Sequence, residues 1–107
     1  MKKISLVILL LAMGTLTAVA SGNRHPVARK LIQSQGCKAC HSLEGAGGDF
    51  AAPLGGAANR LTPQECRALL EQGKYSPTEP FMPAYNHLLE KEMDQLMEFL
   101  LGLPPKP

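Results

Sequence analysis

The stretch QGCKACHSLEG, residues 35–45, places Cys37 and Cys40 directly before His41. Three chemistries use such a triplet: a redox dithiol, half of a zinc site and the covalent attachment of a haem. A redox pair sits at a helix N-terminus after a strand. Here the preceding residues, PVARKLIQSQG (26–36), read as a helix that opens on Pro26 and stops at Gly36. Zinc needs four ligands, and only Cys66, His25 and His87 remain to complete a set. A disulfide would close a very tight ring and leave His41 unexplained. Haem attachment uses the whole triplet: two thiols add to the vinyl groups, and the adjacent imidazole is carried beneath the ring to the iron.

The start of the chain agrees with that chemistry, because thioether attachment takes place outside the cytoplasm. MKK is a basic n-region, ISLVILLLAM an apolar run, and AVA (18–20) a cleavage signal before Ser21. Residues 1–20 are therefore expected to be a signal peptide, and residues 21–107 one exported domain, periplasmic or extracytoplasmic. Kept uncleaved, the segment would be an anchor, although Ile4 to Ala20 is short for a bilayer. Lys2 and Lys3 leave with the signal, and nine Lys and Arg then match nine Asp and Glu. No basic stripe with interleaved aromatics is present, which argues against nucleic acid as a partner. A domain this small has little core of its own, and a bound apolar cofactor would add to it.

Beyond the motif the chain reads as helix, loop, helix, loop, helix. SLEGAGGDFAAPLGGAANR (42–60) has no period and reads as an irregular loop shaped by a ligand. LTPQECRALLEQG (61–73) starts with Thr62 as N-cap, Pro63 in the first turn and Glu65 three residues after the cap, a capping box. KYSPTEPFMPAYNH (74–87) reads as a second loop, stiffened by three prolines. In the last helix Leu89, Met93, Leu96, Met97 and Leu100 fall on one face, with charged residues on the other. The expected fold is all-α: three main helices with long loops wrapped around one covalent haem, and no strands. Cys66 shares an apolar face with Leu69 and Leu70 and reads as a small buried hydrophobe rather than a ligand.

GCKACH after an N-terminal helix, FAAPL in the next loop, FMPAY near the end and a closing helix together resemble the small bacterial monohaem class I cytochromes c. The resemblance spans nearly all of residues 21–107. It implies one haem c bound through Cys37 and Cys40, crossed terminal helices, and His41 and Met82 as axial ligands. Met82 lies between Pro80 and Pro83, which limit the freedom of its loop. His87 is the competing ligand and His25 a more distant one; Met93 and Met97 belong to the last helix's apolar face. In that family a proline carbonyl accepts the ring N–H of the ligating histidine, and Pro53 stands twelve residues after His41. Arg60 is the candidate partner of a haem propionate, and Tyr75 and Tyr85 are candidates to bond a propionate or pack on the ring.

The function expected from these residues is transport of single electrons between larger redox proteins, by a monomer that is not itself an enzyme. One alternative is the same domain as the cytochrome subunit of a periplasmic oxidoreductase. Another, of a different class, is a haem sensor or peroxidase-like protein with an open sixth position, against which Met82 argues.

Overall fold

The computed structural model describes residues 25–105, apart from the side chains of residues 79 and 80. The proposed signal peptide lies outside the described residues. Three helices form the frame: α1 (Pro26–Ser34), α2 (Pro63–Gln72) and α3 (Glu90–Gly102). Each begins where local chemistry dictates. Pro26 opens α1. At α2 the Thr62 hydroxyl accepts the Glu65 N–H at 3.1 Å, and the Glu65 carboxylate accepts the Thr62 N–H at 3.0 Å. At α3, Glu92 turns back to accept the Leu89 N–H at 3.0 Å. Leu89 is therefore a cap residue and 69% exposed, not part of the buried face. Phe99, which the stripe reading passed over, is 4% exposed and takes its place in the core.

The two terminal helices pack together more extensively than any other pair of helices. Ala28, Leu31 and Ile32 of α1 meet Met93, Leu96, Phe99 and Leu100 of α3, and Cys66 and Leu70 of α2 complete the same core. Arg29 leans its guanidinium over the Phe99 ring, 4.9 Å from the centroid, and pairs with Glu44 at 2.6 Å. Arg67 ties α2 to α3 by bonding Glu71 on its own helix and Glu90 and Asp94 on the neighbour. Among the described residues no helix is long and apolar enough to cross a membrane.

The expectation of a strand-free chain needs correction. β1 (Ser42–Leu43) pairs antiparallel with β2 (Ala46–Gly47), and β3 (Lys74–Ser76) with β4 (Glu79–Met82). The first pair turns through Glu44 and Gly45, both at positive φ, as a two-residue hairpin loop requires. The second sets Lys74 opposite Met82 and Ser76 opposite Glu79, with an irregularity between them. Such short ladders bury no alternating face, so hydrophobic patterning does not announce them. They nevertheless decide where the loops lie.

Candidate functional site

Cys37 to Ala39 form a single 3-10 turn after α1, and this turn presents the motif. The following loop is stitched back over it. The Gly48 N–H donates to the Lys38 carbonyl at 2.8 Å, Ala51 to Cys40 at 3.0 Å and Leu54 to Ser42 at 2.9 Å. This closeness explains the glycines: a Cβ on Gly47 would stand 2.6 Å from the His41 carbonyl oxygen. Residues 42–54 are thus built against the motif by their own backbone.

Motif, loops and helices together enclose one cavity of about 760 Å³, within the range of small-molecule and cofactor sites. Cys37, Cys40 and His41 line one part of its wall, and Ile32, Leu70 and Leu100 bring all three helices to it. The wall is largely apolar, and its ionisable side chains outside the motif are Arg60, Cys66, Lys74 and Tyr85, with no carboxylate among them. Phe50 and Phe81 line it as well while remaining 73% and 63% exposed, which puts both rings where the cavity meets solvent.

Within the motif, His41 is already oriented. Its Nδ1 lies 2.6 Å from the carbonyl oxygen of Ala52. A carbonyl only accepts, so Nδ1 carries the proton and Nε2 is left with a lone pair for a metal. Pro53 also lines the cavity, but its own carbonyl accepts from Arg60 at 2.5 Å rather than from His41. Arg60 makes a second bond to the Gly55 carbonyl at 3.2 Å, which braces the segment from 53 to 60. Cys37 and Cys40 are not joined to each other as a disulfide, and both are half-buried. Burial pushes the Cys37 thiol above its ordinary pKa, against smaller pulls from a backbone hydrogen bond and the Tyr85 hydroxyl.

After Gly73 the chain runs out as β3 and returns as β4. Met82 at its end lines the cavity and packs against the core. Gly73 permits that approach, since a Cβ there would fall 2.5 Å from the Met82 carbonyl oxygen. The competing ligands are placed elsewhere. His87 is exposed and bonds Gln35 at 3.0 Å, and His25 stacks on Phe99 with ring centroids 5.5 Å apart. Neither lines the cavity, and nor do Met93 and Met97. Cys66 lines it from the core side at 4% exposure, its thiol pushed up by burial. Tyr75 is 81% exposed and outside the cavity, whereas Tyr85 is buried in its wall.

Sequence reasoning missed two contributors. The Ala52 carbonyl is a backbone group and leaves no residue-type signal. Lys74 reaches the wall only because β3 pairs with β4 and so lies opposite Met82. The zinc alternative finds no support: among the described residues no group of three or more His, Cys, Asp or Glu could hold a metal ion. The donor set suits a haem instead, with two cysteines and an imidazole in sequence on the wall of a largely apolar cavity.

Comparison with known proteins agrees. The family described as cytochrome C oxidase, cbb3-type, subunit III matches residues 26–100. No curated relative and no solved structure matches the chain.

Proposed function

The chain belongs to the family of cbb3-type cytochrome c oxidase subunit III, and on that premise we propose that it is an exported carrier of single electrons whose iron is held by His41 and Met82. Membership makes it a c-type cytochrome, an electron-transfer protein that carries haem c through Cys37 and Cys40. The observation that supports the finer reading is the cavity wall. Outside the motif, Met82 is the only methionine on it among the described residues, and no second histidine reaches it.

When bound, the haem supplies a one-electron iron couple. The protein's part is to hold the iron's surroundings constant while the charge changes. His41 is fixed in one tautomer by Ala52, so its ring does not reorient. Met82 is held by a hairpin whose backbone lies against Gly73, and a thioether ligand favours the reduced iron and raises the potential. Leu70, Leu96 and Leu100 keep water from the cavity's inner wall. Lys74 and Arg60 supply the positive charge that porphyrin carboxylates need, and Arg60 also braces Pro53. Phe50 and Phe81 mark the open side, through which an electron would pass to a redox partner.

A redox titration of the matured protein tests this. A carrier shows one reversible single-electron wave, and its reduced spectrum does not respond to carbon monoxide. A ready response to carbon monoxide would instead support the open-site sensor or peroxidase-like reading. The description of the matched family also favours a role as an oxidase subunit. The two are separated by size-exclusion at moderate salt from native membranes and periplasm, where a carrier elutes alone and a subunit stays in a large complex.

A further inference from the structure

Met82 lies in the segment between α2 and α3, residues 73–89. Two backbone features tie that segment to the end of α2. The Tyr85 N–H donates to the Leu70 carbonyl at 2.7 Å, and the Met82 carbonyl lies against Gly73. The turn after Tyr85 is closed by the Leu88 N–H, which donates to the Tyr85 carbonyl at 3.2 Å. His87 therefore sits on an anchored turn.

From there His87 reaches the segment that carries the haem-attachment motif. Its Nε2 lies 3.0 Å from Oε1 of Gln35, a residue 52 positions earlier in the chain. An amide oxygen only accepts, so the ring N–H donates. Gln35 caps the C-terminus of α1, where its backbone N–H donates to the Leu31 carbonyl at 2.8 Å. It stands just before Gly36 and Cys37, and it lines the cavity. The imidazole also lies against the Tyr85 ring, with centroids 6.2 Å apart and planes tilted by 50°. One hydrogen bond between two fixed points thus joins the Met82 segment to the His41 segment. Being exposed, it adds little to global stability, because water competes for both partners. Opening of a single segment is a smaller event than unfolding, and there one such cross-link counts for a larger share.

We propose that the Gln35–His87 hydrogen bond is a latch that holds the Met82 segment closed over the cavity and slows the entry of small ligands to the sixth position of the iron. The inference deepens the carrier reading and rests on Met82 as the sixth ligand. His87 and Gln35 are positioning residues in it, since neither touches the iron. The experiment is a double-mutant cycle read by stopped-flow binding of cyanide to the oxidised, matured protein. Wild type, Gln35→Ala, His87→Ala and the double variant are compared. Each single variant should bind cyanide roughly two- to tenfold faster, the worth of one net hydrogen bond. The double variant should be no faster than the singles, because all three have lost the same bond. The iron–methionine band should persist in all four, because the latch governs opening and not ligation. An unchanged rate in either single variant, or single effects that multiply in the double variant, overturns the proposal. A wild-type protein without an iron–methionine band contradicts the Met82 assignment instead, and the cycle then still reads whether the latch gates the cavity.

Discussion

The ring of His41 is hydrogen-bonded to the carbonyl of Ala52 at 2.6 Å, one residue short of the proline that the family pattern singles out. The displacement has a local cause. Arg60 takes the Pro53 carbonyl for itself, at 2.5 Å, and so turns that peptide toward the segment it braces. Pro53 cannot donate a hydrogen bond and fixes its own φ, so it still governs where the Ala52 carbonyl sits. The proline matters here through its ring and its φ, while its neighbour supplies the oxygen.

Gly73→Ala should damage the Met82 side of the cavity. The residue has φ 70° and ψ −170°, a region essentially reserved for glycine, and a Cβ would meet the Met82 carbonyl at 2.5 Å. A loss of roughly 1–3 kcal/mol is expected, with a weaker iron–methionine band. Denaturant unfolding and the optical spectrum measure the two effects; an unaltered band would mean that the hairpin does not depend on this approach.

The capping box of α2 predicts an acid-sensitive contribution to stability. Hydrogen bonds from Thr62, first its backbone N–H and then its side chain, lower the pKa of Glu65 below the ordinary 4.5. A depressed carboxylate stabilises the fold fully above the unfolded pKa, and the contribution is lost as pH falls through the lower folded value. The stability gap between wild type and Glu65→Ala should therefore be widest near neutrality and narrow in acid. A gap that stays constant across a pH series of urea melts would contradict this.

Arg67 bridges α2 and α3 through three carboxylates at the surface. Exposed charge networks are screened by salt. Arg67→Ala should melt at a lower temperature than wild type at low ionic strength, and the difference should shrink as salt is added. A difference indifferent to salt would assign the effect to packing of the arginine stem.

Cys66 tests whether a third thiol is needed for anything but filling space. It is 4% exposed among apolar neighbours. Cys66→Ala should cost about 1 kcal/mol, while Cys66→Ser buries a hydroxyl and should cost about 1–3 kcal/mol. Haem stoichiometry in both should match wild type, checked by haem absorbance per mole of protein. A fall in stoichiometry would give Cys66 a role in attachment.

What the sequence made legible, and what it hid, divides along physical lines. Thr62, Pro63 and Glu65 announce α2 because capping is chemistry between residues three apart. Cys37, Cys40 and His41 announce the cofactor because attachment needs those atoms in that order. The prolines around Met82 and the resemblance rank it above His87; the fold adds that Met82 lines the cavity, whereas His87 is exposed, bonds Gln35 and is not on the wall. The hairpins stayed hidden because their pairing is made by backbone groups in runs of two to four residues. Ala52 stayed hidden for the same reason. Leu89 and Phe99 exchanged places because the helix begins one residue after Leu89, which leaves that side chain on the cap.

The central claim is that Met82 is the second ligand of a haem carried by this cavity. The most direct measurement is the far-red absorbance of the oxidised, matured protein and of its Met82→Ala variant. The account predicts a weak iron–sulfur band in wild type and its loss in the variant, while the reduced c-type spectrum persists. A band that survives Met82→Ala, or a wild-type protein that has none, would contradict it.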